Sequence, residues 1–154
     1  MEILTSKKLS ESHMNIIIFG GTGDLATRKL LPALFRHHKA SRLPDKINII
    51  GIGSRALSNT EYQEFIELNL KEYLKKSEFT ADQLNLFLKE LSYSKIDFNN
   101  KSEFSELNKY QLNNASNLYY LAVSPSFYTS ITENLSSIGL INNDSVIVVE
   151  KPIG

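Results

Sequence analysis

The residues best suited to do chemistry lie near the start of the chain, in the run Gly20-Gly21-Thr22-Gly23-Asp24-Leu25-Ala26. Gly21, Gly23 and Ala26 have the spacing G-x-G-x-x-A. In that pattern the glycines allow a tight turn and a close approach of backbone to a pyrophosphate, and the small third residue lets a helix pack on its strand. A helix opening behind the turn would aim unpaired N–H groups at the phosphates. The chemistry implied is dinucleotide binding; the alternative is a glycine-rich turn with a purely structural role. Arg28 and Lys29 follow in the first helical turns, where the helix dipole makes cations mildly unfavourable. They are either charges facing an anion or two solvated charges on an exposed helix face.

A second candidate group is Gly53-Ser54-Arg55. At the end of a second strand, an acidic residue suits the ribose 2′-hydroxyl of NAD, whereas an arginine accommodates the 2′-phosphate of NADP. The nearest acid, Asp45, precedes that strand and so belongs to its wrong end. Arg55 therefore favours NADP, its planar fork suiting a phosphate better than a lysine would, with a plain loop arginine as the alternative. Ser54 adds a hydroxyl donor.

These groups need a scaffold, and the apolar patterning supplies one. Ile16 to Phe19 is an unalternating β-branched run ended by glycines, as a central parallel strand covered on both faces should be. Leu30, Leu31, Leu34 and Phe35 recur at helical spacing up to about Ala40, with Pro32 expected to weaken or kink that helix. Ile47 to Ile52 predicts a second strand closed by Gly51 and Gly53. Ser58 to Glu61 has the form of a capping box, and Tyr62, Phe65, Ile66, Leu70, Tyr73 and Leu74 form the apolar stripe behind it. A second box, Thr80 to Gln83, opens a helix with Leu84, Phe87, Leu88 and Leu91 inward. Tyr93 to Phe98 reads as a weaker third strand, Phe104 and Leu107 as a short helix, and Leu118 to Val123 as a strong fourth strand. Ser124-Pro125 predicts an N-cap with proline at the first helical position. Phe127, Tyr128, Ile131, Leu135 and Ile138 then carry that helix to Gly139. Val146 to Val149 predicts a fifth, fully apolar strand.

Strands separated by helices, without hairpin signals, predict an α/β doubly wound parallel sheet of Rossmann-like type in a single domain, residues 14–154, behind an N-terminal arm of residues 1–13. Lys+Arg and Asp+Glu balance at 17 each, so no net field draws the chain to nucleic acid or an anionic membrane. With no cysteine, disulfides, thiolate nucleophiles and Cys-based zinc sites are excluded, and no metal site is expected. Apolar runs near the start are too short for a signal peptide or a membrane span, so a cytoplasmic location is expected.

With the glycine turn, three further stretches carry a family resemblance: Gly23 to Pro32 (Gly-Asp-Leu-Ala-Thr-Arg-Lys-Leu-Leu-Pro), Leu118 to Pro125 (Leu-Tyr-Tyr-Leu-Ala-Val-Ser-Pro) and Glu150-Lys151-Pro152-Ile153-Gly154. Together they resemble the glucose-6-phosphate dehydrogenase family, whose N-terminal NADP-binding domain the chain matches from Met14 onward. The resemblance implies an enzyme that moves a hydride from C1 of glucose 6-phosphate to NADP, giving a lactone, the first step of the pentose phosphate pathway, in a homo-oligomer. It implies that Gly20 to Ala26 hold the coenzyme pyrophosphate. Asp97 and Phe98 would border the adenosine half, and Val123, Ser124 and Pro125 would pass near the nicotinamide. It places Lys151 between coenzyme and sugar phosphate, Pro152 as a cis proline orienting it, and Lys29 close to the phosphates. The family carries its 2′-phosphate arginine where this chain has Ser54, one residue before Arg55, so NADP is expected with NAD also possible.

The family's base is a histidine beyond the Lys151 motif, in an α+β substrate domain; it must reach the substrate hydroxyl with a pKa near working pH. Only His13, His37 and His38 are present, so no catalytic residue is expected in these 154 residues, which stop before that domain. The rival reading is a non-catalytic NADP-sensing module related to short-chain reductases, which share a Gly-Gly-Thr-Gly turn. Their catalysts need a lysine four residues after a tyrosine, and no tyrosine here has one.

Overall fold

A computed structural model describes residues 13–150. Among them, five strands form one fully parallel sheet in the order β3-β2-β1-β4-β5. The strands are β1 (Met14–Phe19), β2 (Ile47–Gly53), β3 (Leu91–Lys95), β4 (Ser116–Leu121) and β5 (Ser145–Val149). The α-helices are α1 (Leu31–Lys39), α2 (Asn59–Tyr73), α3 (Ala81–Leu88) and α4 (Tyr128–Ser137). The doubly wound expectation is met. Because side chains alternate across a strand, Ile16 and Ile18 enter one core with Leu34, Phe35, Tyr62, Ile66 and Phe87 of α1 to α3. Ile17 and Phe19 enter the other, with Phe104, Leu107, Ile131 and Leu135. No helix among the described residues is long and apolar enough to cross a membrane.

The chain order reverses between β2, to one side of β1, and β4, to the other. This is the switch point at which a crevice opens beyond the C-terminal ends of the strands.

Local signals account for most boundaries. Both capping boxes form: the Ser58 and Thr80 hydroxyls accept from the amides of Glu61 and Gln83, whose side chains accept from the amides of Ser58 and Thr80. Pro32 has its expected effect in a specific form. The preceding turn, Ala26–Leu30, widens to a π-helix in which the Leu31 N–H reaches the Ala26 carbonyl, and α1 proper starts one residue before the proline. Gly139 ends the α4 segment at φ +77°.

Four expectations are corrected. The third strand covers Leu91–Lys95 rather than Tyr93 to Phe98, and Leu91, expected on the α3 stripe, opens it. Asp97 leaves the sheet because its carboxylate accepts from the Asn99 amide and closes a turn. The fourth strand ends at Leu121, two residues early. The Ser124 side chain caps nothing: the segment opens with a 3₁₀ turn, Pro125–Phe127, and the Ser124 hydroxyl lies 3.2 Å from that of Ser126. β5, expected as apolar as a covered strand, is an edge on which Val146, Ile147 and Val149 are exposed.

One polar feature crosses the start of the sheet. Register places Asn15 beside Asn48 of β2 and Asn117 of β4. Their amides form a line: Asn48 Nδ2 donates to Asn15 Oδ1 (3.0 Å), Asn15 Nδ2 to Asn117 Oδ1 (2.9 Å) and Asn117 Nδ2 to the Leu112 carbonyl (2.7 Å). Asn48 Nδ2 also lies 2.8 Å from His13 Nε2. Asn15 and Asn117 are buried, and their pairing removes the cost of an unsatisfied amide.

Candidate functional site

The glycine turn sits at the C-terminal end of β1, where the sheet geometry places a ligand crevice. Gly20 and Gly21 both donate to the Ile52 carbonyl, at 2.8 and 3.0 Å, which ties the turn to β2. Gly20 adopts φ +87°, and a Cβ there would meet the Ala122 carbonyl at 2.3 Å and Val123 Cγ1 at 2.8 Å. The turn thus presses on the residues that follow β4. At Gly21 a Cβ would approach Gly51 Cα to 2.7 Å and the Tyr62 hydroxyl to 2.9 Å. Gly23 is different: a Cβ there would meet only the Gly20 carbonyl, at 3.4 Å, so its α-carbon faces open space. Helix begins at Asp24, and the first-turn N–H groups of a helix have no intrahelical partner. Ala26 is buried against the sheet, as the small third position requires. The turn therefore fits a diphosphate: it combines a rigid back, an uncrowded front at Gly23 and a helix N-terminus.

Two tyrosines that carry no motif set this geometry. The buried Tyr62 of α2 donates to the Gly21 carbonyl at 2.8 Å, and its ring fills the space left by Gly51. Burial pushes its phenol far up from the ordinary value, so it remains a donor at any working pH. Tyr93 of β3 packs its ring tilted against that of Tyr62, 4.9 Å between centroids, and donates to the Arg55 carbonyl at 2.8 Å, holding the loop after β2. Both pairings join residues far apart in sequence, which is why only their apolar character was visible there.

Beyond β2 and β3 lies a cleft of about 620 Å³ lined by Ser54, Lys95, Ile96, Asp97, Phe98, Asn99, Glu103 and Phe127. It brings together three residues singled out from sequence, Ser54, Asp97 and Phe98, and adds Lys95, which sequence reasoning missed. Phe98 forms one wall, edge-on to Phe19 and Phe127. Arg55 does not line this cleft; its guanidinium lies over the Phe65 ring, 4.9 Å from the centroid. Val123, Ser124 and Pro125 follow β4 next to the glycine turn, Ser124 and Pro125 exposed.

The basic pair divides. The Arg28 Nε donates to the Tyr73 hydroxyl at 3.1 Å with the guanidinium over that ring, and this contact raises its pKa. Arg28 is thus directed to the end of α2 rather than to the turn. Lys29 points the other way and pairs with Glu150 at 3.6 Å. Glu150 also accepts from the Tyr120 hydroxyl at 2.5 Å, which holds its carboxyl below the ordinary range. Lys29, Tyr120 and Glu150 therefore form a polar cluster at the C-terminal ends of β4 and β5. Lys151 and Pro152 lie outside the described residues. His37 and His38 sit near the far end of α1, about 20 Å along the helix from Asp24, and burial lowers the pKa of both.

Comparison with known proteins agrees with this geometry. The family model for the glucose-6-phosphate dehydrogenase NAD-binding domain matches residues 17–154. The glucose-6-phosphate 1-dehydrogenase of Rhizobium meliloti (strain 1021) is 35% identical over 153 residues, 98% of this chain and 31% of the relative. The crystal structure of the Mycobacterium avium enzyme of that name superposes with a TM-score of 0.82 at 29% identity, over 94% of this chain and 31% of that one. A glucose-6-phosphate dehydrogenase solved in complex with its substrate glucose-6-phosphate gives a TM-score of 0.77 at 29% identity, over 95% of this chain and 32% of the other. The chain spans about a third of the length of the proteins it matches. A glycine turn at the switch point of a parallel sheet and a family match across nearly all of the chain lead to one conclusion: the chain belongs to the glucose-6-phosphate dehydrogenase family, as its nicotinamide-coenzyme-binding domain.

Proposed function

We propose that this domain binds NADP for the oxidation of glucose 6-phosphate at C1, and that Arg55 selects NADP over NAD. One observation carries the reading: Gly23 is left uncrowded at a helix start while Gly20 and Gly21 are locked behind it, a cradle for the two coenzyme phosphates. When bound, the coenzyme supplies the hydride acceptor. The residues of the chain bind and orient it. Residues Gly20 to Ala26 hold the pyrophosphate, with Thr22, Asp24 and Leu25 contributing backbone at the turn. Ser54, Asp97 and Phe98 border the adenosine in the 620 Å³ cleft. Val123, whose side chain lies against Gly20, flanks the nicotinamide with Ser124 and Pro125. Lys29, with Lys151 and Pro152, serves the sugar phosphate; the Lys29–Glu150 pair is exposed enough to exchange its partner for a phosphate at little cost.

Titration of the protein with NADP and with NAD, repeated on Arg55→Ala, tests the reading. A charge-assisted hydrogen bond to phosphate predicts that the variant loses about 10- to 100-fold in NADP affinity and keeps its NAD affinity. Equal NADP discrimination in the two proteins would refute the assignment of Arg55.

A further inference from the structure

We propose that Phe65 is a positioning residue for coenzyme selection: its ring holds the Arg55 guanidinium ready for the 2′-phosphate. The inference rests on the assignment of Arg55 to that phosphate and extends it to a residue on another element. Arg55 is constrained at both ends. Its carbonyl accepts from the Tyr93 phenol, and Tyr93 is itself fixed where its backbone N–H donates to Asn59 Oδ1 at 2.9 Å, at the start of α2. The Ser58 capping box fixes the same helix start three residues after Arg55. Phe65 lies further along α2, half-buried against the core that contains Ile66 and Tyr62, so the ring is a fixed platform. The guanidinium carbon sits 4.9 Å from its centroid.

A cation–π contact of this kind uses none of the guanidinium's N–H donors and leaves its edge open. That is the edge a phosphate needs, and the five donors form a rigid fork once the plane is set. Among the described residues no carboxylate bridges Arg55, whereas the fork of Arg36 is engaged by both oxygens of Glu78. Ser54, its neighbour in sequence, lines the cleft beyond β2 and β3. An exposed arginine without a platform must lose rotamer freedom when it binds. Phe65 removes part of that loss before the coenzyme arrives.

The test measures NADP and NAD affinities of the intact protein with Phe65→Leu, Phe65→Met, Phe65→Tyr, Arg55→Ala and the Phe65→Leu/Arg55→Ala double variant. The two aliphatic variants are expected to lose about 3- to 10-fold in NADP affinity, to keep NAD affinity within about twofold, and to cause no further loss once Arg55 is absent. Phe65→Tyr, which keeps the ring, should behave as the unaltered protein does. A general loss of structure would lower both affinities together, so the ratio isolates positioning. If Arg55→Ala loses discrimination while the aliphatic variants keep or increase it, the ring restrains the arginine away from its ligand, and this inference falls while the NADP reading stands. If Arg55→Ala changes nothing, both fall.

Discussion

The line of asparagines across β2, β1 and β4 makes a prediction in which single and double substitutions disagree. Asn15→Leu deletes two hydrogen bonds, to Asn117 Oδ1 and from Asn48 Nδ2. Asn48 keeps its contact with His13 Nε2 and is partly open to water, so the orphan that matters is the buried Asn117 Oδ1. Two amide bonds are worth about 1 kcal/mol each and a buried orphan about 1–3 kcal/mol, against about 2 kcal/mol recovered by burying a leucine. The net loss is about 2 kcal/mol. Asn117→Leu orphans two buried groups, Asn15 Nδ2 and the Leu112 carbonyl, and should lose about 4 kcal/mol. The double variant contains neither amide of the central bond, so only the Leu112 carbonyl stays unpaired. It should lose only about 1 kcal/mol, because two buried leucines offset most of the lost bonds, well short of the two single losses combined. Urea unfolding of all four proteins, followed by circular dichroism at constant m, measures the difference. Losses that add to within about 0.5 kcal/mol would show that the amides are not coupled and that burial alone accounts for each effect.

Other substitutions separate folding from binding. Gly21→Ala drives a methyl into Gly51 and Tyr62 and should lower stability by about 1–3 kcal/mol, whereas Gly23→Ala has room in the fold. Gly23→Ala should unfold like the unaltered protein yet lose more than about tenfold in affinity for NADP and NAD alike, because its methyl stands where backbone meets pyrophosphate; unchanged affinity by calorimetry would remove the phosphate role of the turn. Tyr62→Phe leaves the buried Gly21 carbonyl without a donor and should lose about 1–3 kcal/mol in denaturant unfolding, with weaker coenzyme binding; an unaltered midpoint would show that Tyr62 acts by packing alone. The hydrogen bond from Arg36 holds the Glu78 carboxyl at about 2. Its pKa is depressed on folding, so its stabilisation is complete above the ordinary value of 4.5 and fades as pH falls toward 2. The melting temperature of Glu78→Gln should therefore lie below that of the unaltered protein at pH 6 and converge with it near pH 2, whereas a gap independent of pH would contradict the pairing.

Which features could be read from sequence follows from the range of the forces that set them. Capping boxes, the glycine at the end of α4 and the apolar runs of β1, β2 and β4 are decided within a few residues, and their positions were visible in the order of the letters. Leu91 and Ser124 show where that reasoning stops: a leucine at helical spacing becomes a strand residue when the neighbouring edge of β2 offers it a ladder, and a serine before proline leaves its cap unused when the next turn tightens to 3₁₀. Arg28 and Lys29 are adjacent in sequence but part company because Tyr73 and Glu150 lie on opposite sides of them. The exposure of β5 depends on its place in the strand order, which no local pattern encodes.

Gly51 and Gly53 support the site from behind. In sequence they read as the end of a strand; in the fold Gly53 ends β2 and Gly51 lies within it, and the methyl each lacks would strike a tyrosine, Tyr62 at Gly51 and Tyr93 at Gly53. The ring of Tyr62 passes beneath β2 to hold the Gly21 carbonyl, and the hydroxyl of Tyr93 holds the Arg55 carbonyl. The phosphate turn and the arginine loop thus depend on two packed rings admitted by two strand glycines. A larger residue at either glycine would displace a ring before it touched a coenzyme, so binding would be lost through the support of the site while every residue of the G-x-G-x-x-A turn remained in place.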